Sequence, residues 1–405
     1  MGFARLKSMA TSAYSLSDTF KNKLITRERV RNYSIAIIAT NLLLLAVSCW
    51  QHPDYSMGGD FVAFYSAGEI FNTQPKDRLY DLEIQDQLYS SRAGKSSSPF
   101  AYTPWFVLPF AALARLPYIW AFAVWTVISI ALLCTGFLIS YRSMGLPMEW
   151  RWPGLFGALA FPPFQFFTLR GGHLSAVGFL ILSVAFALHR QRRSLTAGLC
   201  LSLMTYKPTL LLIVFPMLIC LRLWRVIVGL AIGSLVLSTL SLWLIGISGL
   251  ESFIELMRLY VAAGNSASES FQTFKYVDIG AGLRLLLGRP VGIVRFALLA
   301  IALPLLWLKW RKLPSLCAWS LAVIATLLLN LYAPIYDATL LTLTAIWVRT
   351  FNPQTLVIVF ILSAVAVPLA YVTHVQIFSL LLIWLAVRVA YFPTYPVLAE
   401  PLSLT

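Results

Sequence analysis

The stretch Tyr33-Ser34-Ile35-Ala36-Ile37-Ile38-Ala39-Thr40-Asn41-Leu42-Leu43-Leu44-Leu45-Ala46-Val47-Ser48-Cys49-Trp50 decides what kind of protein this is. It carries no charge over 18 residues. As a helix it would be about 27 Å long, close to the ~30 Å hydrocarbon thickness of a bilayer. Apolar runs recur near 102–116, 118–141, 153–168, 174–189, 195–206, 208–221, 226–247, 291–309, 314–331, 338–348, 355–372 and 376–390. Of 405 residues, 59% are hydrophobic and 12% charged, and the mean hydropathy is +0.78. A soluble core of this size needs far less apolar material. In lipid every backbone group must be satisfied internally, so the sequence predicts an all-α polytopic membrane protein of about twelve transmembrane helices, with eleven to thirteen as the range.

Charge sets the orientation. Before the first run stand Arg5, Lys7, Lys21, Lys23, Arg27, Arg29 and Arg31 against only Asp18 and Glu28, which by the positive-inside rule keeps the N-terminus in the cytoplasm. Ala46-Val47-Ser48-Cys49 is a poor lipoprotein cleavage site, so the run is read as a retained span. The net charge of +15 falls in short clusters between apolar runs: Arg190, Arg192 and Arg193; Arg222 and Arg225; Lys309, Arg311 and Lys312. That pattern anchors cytoplasmic loops and does not form the continuous basic face of a nucleic-acid binder. The organisation expected is a basic cytoplasmic N-terminus over 1–32, a transmembrane module over 33–348 with an external loop at 51–99, and C-terminal helices and tail over 349–405. The external loop holds Asp54, Asp60, Glu69, Asp77, Asp81, Glu83 and Asp86, seven of sixteen acidic residues, and its Leu79-Tyr80-Asp81-Leu82 region reads as a short amphipathic helix.

Runs 102–116, 195–206 and 338–348 are too short to span alone, since the lower limit is about 17 residues. They are expected to be half-helices, broken helices or spans completed by neighbouring loops, and broken helices usually surround a site. Parity agrees with the basic clusters only if 102–116 does not cross.

Several charges then fall together on the outer side. Asp60, in Met57-Gly58-Gly59-Asp60-Phe61, is a carboxylate just outside the first span, behind two glycines that allow close backbone approach. Lys207-Pro208 interrupts the run from Leu195 to Leu221, and intramembrane ionisable residues are functional by default; the alternative is a lysine snorkelling at a helix end. Arg170-Gly171-Gly172-His173 is either a phosphate seat of backbone N–H groups leading into a helix or an ordinary glycine turn. Asp337, in Tyr332-Ala333-Pro334-Ile335-Tyr336-Asp337, orients a sugar, pairs with a cation or caps a helix. Lys275 and Asp278 stand in the external stretch 248–288, where solvated charge is ordinary. Tyr102-Thr103-Pro104 begins an aromatic-rich return to the membrane. His52, His173, His189 and His374 are scattered and give no metal-ligand spacing, so no metal is expected. Cys49, Cys134, Cys200, Cys220 and Cys317 have no CxxC spacing and read as packing residues.

The external Gly-Asp-Phe followed by Tyr65, the Tyr102-Thr103-Pro104 and Leu116-Pro117 module, the Gly172 turn and Lys207-Pro208 together resemble glycosyltransferase family 87, over roughly 55–340. The resemblance implies the polytopic architecture of the C superfamily of glycosyltransferases, GT-C, similar to that of polyprenol-phosphate-mannose-dependent mannosyltransferases. It implies an inverting transferase of the bacterial inner (plasma) membrane, taking a sugar, mannose first, from a polyprenyl-phosphate donor at the outer face. Asp60 would be the single base. Lys207, Arg170 and His173 would hold the donor phosphate, with Tyr65, Tyr102, Asp337 and Lys275 as substrate contacts. No cofactor is implied. The acceptor would be a glycolipid or the end of a polysaccharide. Gly171-Gly172-His173 departs from the family's Gln/Asn-containing turn. A polytopic transporter or flippase of lipid-linked sugars is the alternative, although no second copy of the Asp60 or Lys207 surroundings gives the inverted repeat usual in transporters.

Overall fold

Long apolar runs without period-two alternation leave helix as the way to satisfy the backbone, and helix is what the computed structural model contains. It describes residues 26–51, 58–93, 99–265, 272–348 and 352–392. Arg5, Lys7, Lys21, Lys23, His52, Asp54 and the tail from 393 lie outside the described residues. Within them there is no strand, only one isolated bridge between Tyr276 and Pro334.

The first run becomes α1 (Arg27–Gln51). In the 51–99 loop follow α2 (Phe61–Thr73), a 3₁₀ turn at Lys76–Tyr80 and α3 (Leu82–Ala93). The Pro104–Val107 turn and α4 (Leu108–Leu113) form a short re-entrant piece, and Pro117 starts α5 (Tyr118–Ser143). Next come α6 (Arg151–Ala160), a π-helical segment at Pro163–Leu169, α7 (Ser175–Arg190), α8 (Ser194–Ser202) and α9 (Val214–Cys220). The remainder is α10 (Trp224–Asn265), α11 (Ile279–Leu287), α12 (Gly292–Trp310), α13 (Ser315–Leu329), α14 (Leu341–Trp347), α15 (Pro353–Thr373) and α16 (Ile377–Tyr391).

Only five of these are long and apolar enough to cross a membrane: Arg27–Ser48 of α1, α5, Trp224–Leu259 of α10, α12 and α15. Twelve spans of full length are therefore not found. The rest of the apolar material sits in helices of 10–17 residues, among them Pro104–Leu113, Ser194–Tyr206 and Ile335–Trp347. The three runs read as too short are short in the fold as well. So are Ser175–Arg190, Pro208–Cys220, Ser315–Leu329 and Ile377–Tyr391. A helix of 15 residues reaches only about 22 Å.

Short helices survive because they are interior. From Cys317 to Leu329 every residue of α13 is buried, Trp319 fully. α12 has similar composition but faces outward, with Ile293 88% exposed. α8 and α10 approach backbone to backbone through glycines, as small-residue interfaces in membranes do: a Cβ on Gly198 would stand 2.0 Å from the Val226 carbonyl oxygen. Further along, Gly246 (φ 69°) bends α10. The segment beyond lies on the 51–99 loop, where Phe253 meets Tyr80 at 4.9 Å between ring centres and the Ser248 hydroxyl donates to Asp77.

The two ends of the molecule differ chemically. At one, Arg27 pairs with Glu149, Arg190 reaches Met144 Sδ, Lys309 Nζ lies 3.4 Å from the Tyr391 ring centre, and Arg388 donates to Thr355. The other end gathers Asp60, His173, Lys207 and Asp337. The re-entrant piece belongs to that end: Asn72 donates to the Ala111 carbonyl and the Tyr65 hydroxyl to that of Leu116. Residues 102–116 thus do not run to the basic end.

Candidate active site

Asp60 is set by what surrounds its neighbours. Phe61 is fully buried among Tyr118, Phe122 and Trp125, which pins the start of α2. Gly58 and Gly59 turn the chain with φ of 95° and 42°, a region where side-chain-bearing residues are strained. Asp60 is the residue before α2, yet its side chain makes no capping bond. The carboxylate is left for another partner. Oδ2 lies 3.0 Å from His173 Nδ1; the approach falls short of an aligned hydrogen bond, so the contact is chiefly electrostatic.

His173 is delivered by a helix stop. The π-helical segment ends with Gly172 at φ 67° and a His173 N–H to Thr168 C=O bond of 3.1 Å, the six-to-one closure of a Schellman cap. Trp125 Nε1 donates to the Gly172 carbonyl at 2.9 Å. The two Gly-Gly turns pack back to back: a Cβ on Gly59 would stand 3.2 Å from Gly171 Cα, and one on Gly172 would stand 2.5 Å from Phe61 Cβ. Glycine at both turns is what lets an Asp and a His 113 positions apart meet. The imidazole then stacks on Tyr336, ring centres 3.9 Å apart and planes 19° off parallel.

Lys207 sits between two 3₁₀ turns, Leu203–Tyr206 and Pro208–Leu211, in an extended conformation (φ −135°, ψ 80°). A residue before proline is disfavoured in helix, so the break follows from Pro208. Its Nζ is 2.5 Å from Asp337 Oδ2, with the two side chains 9% and 2% exposed. The rings of Tyr336 and Tyr332 lie 5.1 and 5.8 Å from the same ammonium. Lys207 therefore does not snorkel away, and Asp337 does not cap a helix; each neutralises the other.

Asp278 supplies the framework beneath. Its Oδ1 caps α11 at Ala281 N–H and accepts from Arg295 at 2.8 Å, and its Oδ2 accepts from Ala333 N–H. Arg295 also donates to the Leu331 carbonyl, and Val277 N–H bonds the Ala333 carbonyl. The loop bearing Tyr332, Tyr336 and Asp337 is thus held from behind.

Around Asp60 the electrostatics are mixed. Burial pushes its pKa up, but the His173 charge and contact, then Lys275 and Lys207, pull it down, and the net direction is below the ordinary carboxylate value. With 36% of its surface open, the side chain remains within reach of a ligand.

Three candidates are placed elsewhere. Tyr65 lies on the buried face of α2, its ring edge-on to Tyr118 at 5.2 Å. Arg170 points to the flank, lining a cleft with Asn41, Leu42 and Leu45 of α1 and with Gln165. The Gly171-Gly172 backbone is packed against Gly59 and Phe61 and offers no open phosphate seat. Tyr102 is nearer, stacked on Tyr206 at 6.3 Å beside Lys207. Lys275 is exposed and acts on Asp60 through its charge. Tyr332 and Tyr336 are the site residues that sequence reading passed over; aromatic residues flanking the Asp337 carboxylate were the available signal. Among the described residues no three His, Cys, Asp or Glu side chains gather where they could hold a metal ion.

Neither the curated proteins nor the solved structures give a significant match to this chain. A family model does, over residues 100–334, a region that contains His173, Lys207 and Lys275 and stops short of Asp60 and Asp337. That region is more than half of the chain, and the protein belongs to glycosyltransferase family 87.

Proposed function

We propose that this glycosyltransferase moves a sugar, mannose first, from a polyprenyl-phosphate donor to a glycolipid or polysaccharide acceptor with inversion, and that Asp60 is its base. The observation that carries the reading is the Asp60 carboxylate: uncapped, partly open and surrounded by positive charge. In the reaction Asp60 takes the acceptor hydroxyl proton as that oxygen bonds the anomeric carbon. The carbon–oxygen bond to phosphate breaks on the opposite face, and its electron pair leaves with the phosphate. A departing phosphate needs positive charge or N–H donors. Lys275 supports that role, being exposed and close enough to act on Asp60, whereas Lys207 serves through its pair with Asp337.

The same reading places the chain in the GT-C architecture, in a bacterial inner membrane, with the basic end in the cytoplasm and the site at the outer face. The contacts at the two ends support twelve passes, with α6 plus the π-helical segment counted as one and the halves on either side of Lys207 as two.

The test is Asp60→Asn in purified protein with polyprenyl phosphomannose and a glycolipid acceptor. Transfer should fall by roughly 10²- to 10⁴-fold, the usual contribution of a positioned base, with donor binding kept. Full activity in that variant would remove Asp60 from the mechanism. Movement of the lipid-linked sugar across vesicles without chemical transfer would favour the transporter instead.

A further inference from the structure

We infer that His173 is a positioning residue, meeting the Asp60 carboxylate through Nδ1 and holding it turned toward the open part of the site. The inference rests on the reading of Asp60 as the base.

The surroundings of the ring carry this. In His173 the Nδ1 edge is occupied by Asp60 Oδ2 at 3.0 Å. The other edge lies over its own turn, where Nε2 is 2.5 Å from the place a Cβ on Gly171 would occupy. One face of the ring is covered by Tyr336, and the side chain is 14% exposed against 36% for Asp60. The carboxylate is thus the more open of the two groups, and the Nδ1 edge of the imidazole is given over to it. Every restraint on His173, the helix cap, the stacked tyrosine and the glycine contact, fixes the ring in the place where it meets Asp60.

The charged and titratable groups around this pair come from each element packed against it: Asp60 from the Gly58-Gly59 turn, Tyr89 from α3, Tyr118 from α5, Lys207 from the break before Pro208, Tyr332, Tyr336 and Asp337 from the loop after α13, Lys275 from the Thr273–Lys275 turn, and Tyr102 before Pro104. Lys207 is neutralised by Asp337, and Lys275 is exposed to solvent that screens it. After burial, which acts upward, the strongest influence on Asp60 is His173. Removing the imidazole leaves burial less opposed, so the Asp60 pKa rises. A reaction that needs the carboxylate is lost as pH falls through that pKa, and its acid limb then moves to higher pH.

Two measurements test this on the full-length protein in lipid nanodiscs. The first is the pH dependence of kcat/KM for polyprenyl phosphomannose in the natural protein and in His173→Gln. The variant's acid limb should lie at higher pH than that of the natural protein, with donor KM within about twofold. An unmoved acid limb overturns the inference, and a large rise in donor KM with that unmoved limb returns His173 to the phosphate. The second needs no substrate and no change at His173: ¹⁵N-imidazole spectra of a chain with only four histidines, with and without Asp60→Asn. The His173 ring signals should shift, and unchanged signals overturn the pairing. A protein inert toward every lipid phosphosugar whose His173 signals still respond would remove the transferase reading and uphold the pair.

Discussion

At the scale of single residues the decisive fact is that the site's charges come already matched. Lys207 could be picked out in the sequence because a lysine in an apolar run is expensive, and Asp337 as a carboxylate able to pair with a cation, but not the two as each other's partners, since they stand 130 positions apart. The pair makes a stability prediction. Lys207→Met or Asp337→Leu alone leaves a buried charge unmatched and should cost about 3–5 kcal/mol, whereas the double substitution should recover most of it. Thermal unfolding in detergent would show this as a large Tm drop in each single variant and a near-natural double. A double variant as unstable as the singles would mean that the pair is held by groups beyond itself. Asp60 was legible from its place beside a span; His173 was legible as a residue but not as its partner.

Among the elements, the turns were more readable than the helices. Gly58-Gly59-Asp60 and Gly171-Gly172-His173 share one pattern, two glycines and then a titratable group, and the fold packs those glycines together. Gly172→Ala should therefore fail twice: the positive φ costs roughly 1–2 kcal/mol, and the new Cβ drives into Phe61, 2.5 Å away. Transfer activity should drop sharply as His173 moves off Asp60. Gly246, also at positive φ, has nothing within 4 Å of its would-be Cβ. Gly246→Ala should lower Tm modestly and keep activity; equal damage from both variants would argue that strain, not the glycine contact, is what matters. Helix burial was not legible. α12 and α13 are both apolar all round, and only packing decides that one faces outward while the other is interior. Length misled for the same reason, because an interior helix is shielded by its neighbours and need not match the bilayer.

For the molecule as a whole, composition was enough to predict an all-helical membrane protein, and the basic clusters foretold which loops share an end. The proposed orientation is tested by accessibility. In a background without the five native cysteines, Glu83→Cys should react with a membrane-impermeant maleimide in intact cells, and Arg193→Cys only after lysis; both positions are exposed in the fold. The reverse pattern would turn the protein over and move the site to the cytoplasm.

The Lys207–Asp337 pair also has a consequence in time. A ribosome adding about 5–20 residues per second delivers the lysine ahead of the aspartate by the 130 positions that separate them, an interval of roughly 7–26 seconds. For that long the growing chain holds an ammonium without its counter-ion in the apolar stretch 195–221, where charge is disfavoured. Biogenesis must therefore keep residues 194–220 near water or near the insertion machinery until the loop after α13 emerges, and the site closes only once Asp337 has been made.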